Sequence, residues 1–310
     1  MRIFFLALLG ALCVSLNPNA QTGTQQPNGE YTIPVHVDEV NLTFSATDEK
    51  GRWIDDLRLS DLSLKDNDKA PLRVLSFQGP MNLPVRAGIL IDISRSMLHA
   101  LPRNRRIVST LTTHVLRTSS DQAFIMRFDF ESKIKQNWTG DAALLNTAMS
   151  DIARDWESRL GGTAIYDSIY RACRDQFGWT EANKVGNFIL VFSDGIDNTS
   201  HARLQDVIDR CQRSHTSIYV FSEETKPSRD AGQKMLQEMT AKSGGRMFYD
   251  QDPAAQLRDL KEIEGDARYQ YQVIYKPDNL KPDGSFHRIK LDCPLRTAFM
   301  HVRTGYYSRR

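Results

Sequence analysis

Residues 87–96 read Ala-Gly-Ile-Leu-Ile-Asp-Ile-Ser-Arg-Ser, an apolar run that ends in oxygen-bearing side chains. The apolar part, Ala87–Ile91, predicts a buried strand, and a helical stretch follows it at 97–118. Strand and helix patterns then alternate as far as about Gly265. This alternation predicts an α/β domain with a doubly wound, mainly parallel sheet that helices cover on both faces.

The later strand–helix pairs of this domain follow one another without long gaps. A capping aspartate followed by proline, Asp252-Pro253, predicts the start of the last helix. The predicted pairs are Ala123–Phe128 with 141–153, Phe188–Phe192 with 201–213, Ile218–Phe221 with 229–242, and Met247–Tyr249 with 253–264.

Short alternating segments separated by turn residues lie on both sides of the α/β region, which is typical of β structure. The predicted strands are Thr32–Val37, Val40–Ala46, Leu62–Leu64, Leu72–Phe77, Tyr269–Tyr275, Phe286–Leu291 and Phe299–Arg303. Three strands alone would bury little surface, so two independent β pieces are the less favourable arrangement. We therefore expect 31–82 and 266–310 to form one small, sandwich-like all-β domain into which 83–265 is inserted.

The N-terminus has the pattern of an export signal. Arg2 supplies the positive start, Ile3–Leu16 is apolar apart from small residues, and Ala20 is a candidate cleavage point. We expect residues 1–20 to be a signal peptide that directs the protein to the periplasm or outside the cell, and residues 21–30 to be a flexible lead-in. An uncleaved membrane anchor is the alternative, although the apolar run is short for one.

Composition excludes several classes of partner and leaves the cysteine chemistry open. Hydrophobic residues make up 40% and charged residues 25%, and the formal net charge is +2. A nearly neutral chain predicts no charge-driven binding to nucleic acid or membrane. After the signal segment, no apolar run is long enough to span a bilayer. Cys173 and Cys211 fall on successive predicted helices, so they form either one disulfide or two buried thiols.

The polar residues after the first strand suggest a cation site. Asp92, Ser94 and Ser96 alternate along the chain and therefore point in a common direction where the strand ends. One carboxylate and two hydroxyls are hard oxygen donors, suited to Mg²⁺, Mn²⁺ or Ca²⁺. In open parallel sheets, ligands bind beyond the carboxyl ends of the strands. The alternative is that a serine merely caps the following helix.

Two further motifs follow other strands of the same predicted sheet. Gly161-Gly162-Thr163 precedes a helix that begins near Ile165, and Ser193-Asp194-Gly195 follows the strand Phe188–Phe192. Thr163 offers another hydroxyl, and Asp194 offers a second carboxylate at a strand end. Taken singly, the threonine is also an ordinary helix cap and the aspartate an ordinary turn residue.

Together, the order Asp-x-Ser-x-Ser, Thr, Asp-Gly resembles a von Willebrand factor type A domain with a complete metal-ion-dependent adhesion site. Within that family, the wider match is to bacterial von Willebrand A-related proteins of the acidobacterial type. The segments outside the metal motifs that carry the resemblance are Val40 to Phe77, with Asp48–Gly51 and Asp61–Leu64, then Gly244–Phe248 and Arg303–Tyr307.

The resemblance implies one divalent cation, with Mg²⁺ expected first. It implies that Ser94, Ser96 and Thr163 contact the ion directly or through water, and that Asp92 and Asp194 supply charge. A carboxylate of a partner protein would complete the site. Arg95 stands where the family usually has glycine, and we assign Arg95 and Asp197 to a partner-binding rim. With His99, Arg103, Arg105 and Arg106, Arg95 forms either a basic extension of that rim or an ordinary solvated helix face.

These features predict an exported binding module and no enzyme. The histidines lie beside no nucleophile motif, and neither Gly-x-Ser-x-Gly nor a phosphate-binding Gly-x-x-x-x-Gly-Lys occurs in the sequence. We therefore assign no catalytic residue. The alternatives are a scaffold subunit of an envelope complex with an idle metal site, and a metal-dependent phosphatase-like hydrolase in which Asp92 is the nucleophile.

Overall fold

The computed structural model describes residues 39–155, 161–178 and 184–308. The predicted signal peptide at 1–20, the lead-in at 21–30 and the predicted strand Thr32–Val37 lie outside these residues. In the part that is described, no helix combines the length and the apolar character needed to cross a membrane.

The described elements follow the predicted order of strands, then strand–helix alternation, then strands. The strands are β1 Val40–Thr47, β2 Ser63–Asp66, β3 Arg73–Asn82, β4 Val85–Asp92, β5 Gln122–Phe128, β6 Ser132–Thr139, β7 Gly186–Phe192, β8 Thr216–Phe221, β9 Met247–Phe248, β10 Tyr269–Lys276, β11 Phe286–Asp292, β12 Phe299–Val302 and β13 Gly305–Tyr307. The helices are α1 Leu101–Thr110, α2 Ala142–Asp155, α3 Ile165–Arg171, α4 Leu204–Arg213, α5 Ala231–Ser243 and α6 Pro253–Arg268.

The central sheet has the strand order β6-β5-β4-β7-β8-β9. Its neighbouring strands pair in parallel except at the edge, where β6 runs antiparallel to β5. The chain begins this sheet in the middle, at β4, and then builds outward first on one side and later on the other. This is the doubly wound α/β arrangement that the sequence predicted, and it gives the sheet a switch point beside β4.

Alternate residues of the central strands enter two separate cores. Ile89 and Ile91 face one core together with residues of α1, α2 and α6, whereas Leu90 faces the other core with residues of α3, α4 and α5. All three side chains are fully buried. Burial of an Ile or Leu side chain contributes about 1.5–3 kcal/mol, so this uninterrupted apolar run fixes β4 at the centre of the sheet.

The flanking strands form two antiparallel sheets with the orders β12-β1-β10-β3 and β13-β11-β2. Strands from the two ends of the chain pair directly, since β1 pairs with β10 and β2 pairs with β11. Both sheets contribute to one apolar core that includes Leu42, Tyr271, Leu291 and Tyr306. The predicted pairing of the two chain ends in a sandwich-like unit is therefore confirmed.

The two chain connections between the β unit and the central sheet, at Leu83 and at Arg268, lie side by side. The backbone N–H of Leu83 donates to the carbonyl oxygen of Arg268 at 3.1 Å. The Arg268 guanidinium donates to the Leu83 carbonyl at 2.6 Å and to Asp121 Oδ2 at 2.6 Å. The two hydrogen bonds between Leu83 and Arg268 join the start of the inserted segment to its end, and the ion pair between Arg268, which is 1% exposed, and Asp121 ties both to the residue before β5.

Several boundaries differ from the prediction. The stretch predicted as a single helix over 97–118 consists of a 3-10 turn, Arg95–Ala100, then α1, then a π-type turn, Leu111–Val115. Pro102 lies in the first turn of α1, where its missing N–H costs nothing. The predicted start of the last helix is confirmed, because the Asp252 side chain accepts a hydrogen bond from the Ala255 N–H at 2.9 Å.

Candidate metal centre

Asp92 is the last residue of β4, and β4 lies between β5 and β7. Its side chain is fully buried and both of its carboxylate oxygens accept hydrogen bonds. Oδ1 accepts from the Ser94 N–H at 2.8 Å, and Oδ2 accepts from the Ser193 hydroxyl at 2.6 Å. Asp92 is therefore held rigidly below the loops that follow β4 and β7.

Burial, with a smaller contribution from the charge of Asp194, raises the pKa of Asp92 to about 6 despite the hydrogen bonds from Ser193 and Ser94, which lower it. Neither Asp92 nor Asp194 forms an ion pair with an Arg, Lys or His among the residues that the structure describes. A buried carboxylate beside a second carboxylate, without a protein cation, is an arrangement that a divalent cation would stabilise.

Ser94 and Ser96 extend this arrangement toward the surface. Their hydroxyl oxygens are 3.2 Å apart, with Ser94 buried and Ser96 exposed. Ser94 occupies the capping position of the turn Arg95–Ala100, but its side chain makes no capping hydrogen bond. The alternative interpretation of this serine as a helix cap is therefore wrong, and both hydroxyls face each other beside Asp92.

Thr163 lies directly before Ala164, the capping residue of α3, and it is 5% exposed. Its backbone N–H donates to Asn198 Oδ1 at 2.8 Å, and its carbonyl accepts from the Asn198 N–H at 3.0 Å. Asn198 thus ties the Thr163 loop to the loop that carries Asp194. Within the described residues, Thr163 makes no direct hydrogen bond to the other four predicted site residues.

Gly162 explains how these two loops approach so closely. A Cβ atom at this position would lie 2.3 Å from Thr199 Cγ2 and 2.4 Å from Asn198 Oδ1. Such distances are shorter than any real contact, so a side chain here would push the two loops apart. The glycine of this motif is therefore a packing requirement of the candidate site.

Asp194 follows β7 and lies in a turn in which its Oδ1 accepts from the Ile196 N–H at 3.0 Å. Gly195 has a φ of +86°, which the left-handed turn requires and which favours glycine. One carboxylate oxygen of Asp194 thus makes the hydrogen bond expected of a turn aspartate. Its second oxygen has no hydrogen-bond partner among the described residues.

The two residues of the predicted rim, Asp197 and Arg95, lie in different surroundings. Asp197 Oδ2 accepts from the Tyr166 N–H at 3.0 Å and from the Ser200 hydroxyl at 2.7 Å. Asp197 therefore holds the first turn of α3 against the Asp194 loop, so its carboxylate is occupied within the fold. By contrast, Arg95 is exposed and has no ion-pair partner in the described part of the chain.

The basic stretch after Arg95 also separates into two kinds of residue. Arg103 pairs with Glu223 at 3.0 Å and donates to the Ser222 carbonyl at 2.9 Å, so it connects α1 to the loop after β8. Arg105 and Arg106 are exposed on the outer side of α1. Arg103 thus has a structural role, and a continuous basic rim from Arg95 to Arg106 is not formed.

Two residues that sequence reasoning missed complete the local framework, Ser193 and Asn198. Ser193 is fully buried and also accepts from the Gly195 N–H at 3.1 Å, in addition to its bond to Asp92. The sequence could have indicated Ser193, because it lies between β7 and Asp194 and a hydroxyl at the end of a buried strand needs a hydrogen-bond partner. Asn198 carried no comparable signal, since its role depends on the spatial approach of the Thr163 loop.

The donor set fits a hard divalent cation in chemical type. It contains two carboxylates, Asp92 and Asp194, and three hydroxyls, Ser94, Ser96 and Thr163. Magnesium and calcium prefer such oxygen ligands, often with water between ion and protein. In the residues that the structure covers, no group of three or more His, Cys, Asp or Glu side chains could hold a metal ion. The candidate site contains only two such side chains, Asp92 and Asp194, because its other three donors are hydroxyls.

A disulfide joins Cys173 and Cys211, whose Cα atoms are 5.1 Å apart. It connects the π-type turn after α3 with α4, the helices that follow the Thr163 and Asp194 loops. Both cysteines are fully buried. Of the two states that the sequence left open, the structure contains the disulfide, while Cys293 is a free, half-buried thiol.

Comparison with known proteins finds similar solved structures at low identity. BatB from Bacteroides thetaiotaomicron is 22% identical, with a TM-score of 0.47, over 58% of this chain and 97% of its own. Proximal thread matrix protein 1 of the mussel byssus, with a zinc-occupied metal-ion-dependent adhesion site, is 14% identical, with a TM-score of 0.48, over 63% of this chain and 48% of its own. A von Willebrand factor type A protein from Catenulispora acidiphila is 13% identical, with a TM-score of 0.45, over 80% of this chain and 73% of its own.

No protein-family model matches the sequence, and no curated protein matches it significantly. At these identities and TM-scores, the fold class rests on the strand order of this chain itself. The function likewise rests on the residues at the carboxyl edge of its sheet.

Proposed function

We propose that this protein is a metal-dependent protein-binding module of the von Willebrand factor type A kind. The observation that carries the proposal is the uncompensated pair of carboxylates at the centre of the sheet edge. Asp92 is fully buried, the charge of Asp194 acts on it, and no described cationic side chain pairs with either residue. Buried charges in proteins are paired or coordinate metals, so the missing partner is a cation.

Ser94, Ser96 and Thr163 would hold the ion directly or through water, while Asp92 and Asp194 would supply negative charge. Bound there, a divalent ion such as Mg²⁺ supplies a Lewis-acidic position to an incoming oxygen ligand. Asp92 positions the Ser94 loop through its 2.8 Å bond from the Ser94 N–H. Ser193 keeps the second oxygen of Asp92 directed toward β7.

The ligand that completes the site would be a carboxylate of another protein. Two aspartates bring a doubly charged ion only to formal neutrality, and hydroxyl ligands add no charge. An acidic side chain would therefore gain a short, partly desolvated contact. Arg95, exposed and without an ion-pair partner in the described chain, adds attraction for an acidic ligand beside the site.

The alternatives explain less of this geometry. A phosphatase-like mechanism needs Asp92 as an accessible nucleophile, but the side chain is fully buried and both oxygens are hydrogen-bonded. A scaffold with an idle site gives no reason for an exposed Ser96 hydroxyl next to the buried Ser94 hydroxyl. We also infer an exported location, because a structural disulfide is typical of oxidising compartments.

Capture of a partner with and without metal tests this function. Immobilised protein is exposed to a cell-envelope extract in Mg²⁺ or in chelator, beside an Asp92→Ala variant. We expect a captured protein in Mg²⁺ that is absent both in chelator and with the variant. If the same protein is captured equally under all three conditions, the scaffold function replaces the binding function.

A further inference from the structure

Large hydrophobic side chains are exposed at the same edge of the sheet as the candidate metal centre. Three of them follow three different strands, namely Leu98 after β4, Phe130 after β5 and Ile196 after β7, with exposed fractions of 47%, 51% and 56%. The remaining exposed large hydrophobic side chains of the described residues are Leu59, Leu72, Leu144, Leu295 and Phe299. Isolated exposed leucines are ordinary, but a group in adjacent loops marks an interaction surface.

Each of the three residues follows a polar residue closely in the segment after its strand. Leu98 comes two positions after Ser96, and Ile196 comes two positions after Asp194. Phe130 directly follows Asp129, which is buried at the end of β5. Because β4, β5 and β7 are parallel neighbours, these three loops emerge at one edge of the sheet.

Contacts connect the loops further. The Phe130 ring lies against the loop that leads to Thr163, since a Cβ atom on Gly161 would be only 2.3 Å from Phe130 Cδ1. That loop is in turn bonded to the Asp194 loop through Thr163 and Asn198. Phe130 therefore contacts the framework of the candidate site, and Leu98 and Ile196 lie in the segments that carry Ser96 and Asp194, yet all three side chains remain exposed.

We propose that Leu98, Phe130 and Ile196, here called the apolar rim, bind apolar side chains that flank the metal-seeking carboxylate of the partner. This inference rests on the proposed function and specifies the partner as a protein segment with an acidic residue between hydrophobic residues. Charge complementarity selects the carboxylate, because the exposed Arg95 lies between Ser94 and Ser96 in the same loop. The apolar rim selects the hydrophobic residues that flank this acidic residue in the partner.

Two capped pentapeptides of equal charge test the proposal, Gly-Gly-Asp-Gly-Gly and Gly-Leu-Asp-Phe-Gly. Their affinity for the full chain is measured by fluorescence anisotropy in Mg²⁺ and in chelator. In Mg²⁺ we expect the apolar peptide to bind about tenfold more tightly, since each apolar contact removes hydrophobic surface from water. The triple variant L98S/F130S/I196S should bind both peptides with the weaker affinity.

A matched control is available in residues that are equally exposed elsewhere. The triple variant L72S/L144S/L295S removes hydrophobic side chains with exposed fractions of 63%, 48% and 74%. It should keep the tenfold preference. A preference that disappears equally in both triple variants would overturn the proposal, because the effect would then not depend on the apolar rim.

The other outcomes separate this inference from the metal function. Equal, metal-dependent binding of both peptides would overturn the apolar rim and leave the metal function standing. Binding of the apolar peptide that is the same in chelator, yet is lost in L98S/F130S/I196S, would support the rim and remove the metal function. Absence of binding by either peptide would overturn both. Loss of self-association or of phosphatidylcholine-vesicle binding in L98S/F130S/I196S would overturn the apolar rim alone, because it would identify a second copy or lipid as the occupant of these three residues.

Discussion

The Ser193 hydroxyl donates a 2.6 Å hydrogen bond to Oδ2 of Asp92 and so joins residues that are 101 positions apart in the chain. Both side chains are fully buried, at the ends of the adjacent strands β4 and β7. The bond fixes the spacing of the two loops that carry Ser94 and Asp194. A metal centre assembled from separate loops depends on such fixed spacing, because ligand distances vary little.

Removal of the Arg95 charge should reduce the salt dependence of ligand binding. Arg95 is exposed beside the candidate site, so it attracts acidic ligands mainly by screened, longer-range electrostatics. In Arg95→Gly, we expect affinity for an acidic peptide to fall about two- to fivefold at low salt and to depend less steeply on salt. Anisotropy titrations from 20 mM to about 0.5 M NaCl measure this. Arg73→Gly, at an exposed position in β3, should leave the slope unchanged.

Insertion of a single methyl group at Gly162 should loosen the Thr163 loop. The new Cβ atom would collide with Thr199 and Asn198, and Asn198 holds the Thr163 backbone at 2.8 Å. We expect Gly162→Ala to weaken Mg²⁺ binding about tenfold, the cost of a modest overpacking. Gly79→Ala is the control, since an added Cβ at that position meets nothing within 4 Å. Equal affinities of the two variants would show that the Thr163 loop takes no part in binding.

Asp259 should make stability depend on pH. Burial, together with the charges of Asp250 and Glu262, raises the pKa of Asp259 from 3.8 to about 6. The folded protein therefore holds more protons than the unfolded protein between these values, and stability falls as the pH rises from about 4 to 6. We expect Asp259→Asn to raise the free energy of unfolding by on the order of 1–3 kcal/mol above pH 7.

Urea unfolding of wild type and Asp259→Asn at a series of pH values measures this contribution. Below pH 4 the residue is protonated in both states, so the gain should shrink toward zero there. The buried Asp259 Oδ2 has no hydrogen-bond partner in the described structure, so the substitution removes no bond at that atom. A gain of constant size at all pH values would mean that the buried charge is not its cause.

The disulfide should stabilise the fold without taking part in binding. Cys173 and Cys211 are 38 positions apart, and closing a loop of that length in the unfolded chain is worth about 4 kcal/mol. We expect the C173S/C211S variant to lose roughly 2–4 kcal/mol of unfolding free energy in urea. Its Mg²⁺ affinity and partner capture at 20 °C should equal those of the wild type. A large loss of affinity in the folded variant would show that the disulfide sets the geometry of the loops.

The sequence predicted the buried strands well and the edge of the sheet poorly. Strand β7 is fully buried along its length, so its continuous apolar run was an unambiguous signal. Strand β6 was missed, because its residues Ser132–Thr139 are mostly polar and lie at an edge where one face meets solvent. Ile134 and Trp138, which pack against the core, were too sparse a pattern to predict a strand.

For the candidate site, residue type was predictable from the sequence, whereas the contacts between loops were not. Oxygen-bearing side chains after strand ends identified Asp92, Ser94 and Asp194 as candidates from residue type alone. The sequence did not predict that the Asp197 carboxylate accepts a hydrogen bond from the Tyr166 N–H in the first turn of α3. That contact joins residues 31 positions apart, and only the folded arrangement of the two loops determines it.

Direct titration of Mg²⁺ into chelator-treated protein tests the central claim most directly. Isothermal titration calorimetry should detect one site in the wild type, and the site should be weakened most in Asp92→Ala and Asp194→Ala, because these two residues carry its negative charge. Both variants should remain folded, since each removes a charge that repels the other in the absence of metal. Asp283→Ala, an aspartate in the turn before β11, should bind as the wild type does. Unchanged Mg²⁺ binding in both site variants would contradict the assignment of this metal centre.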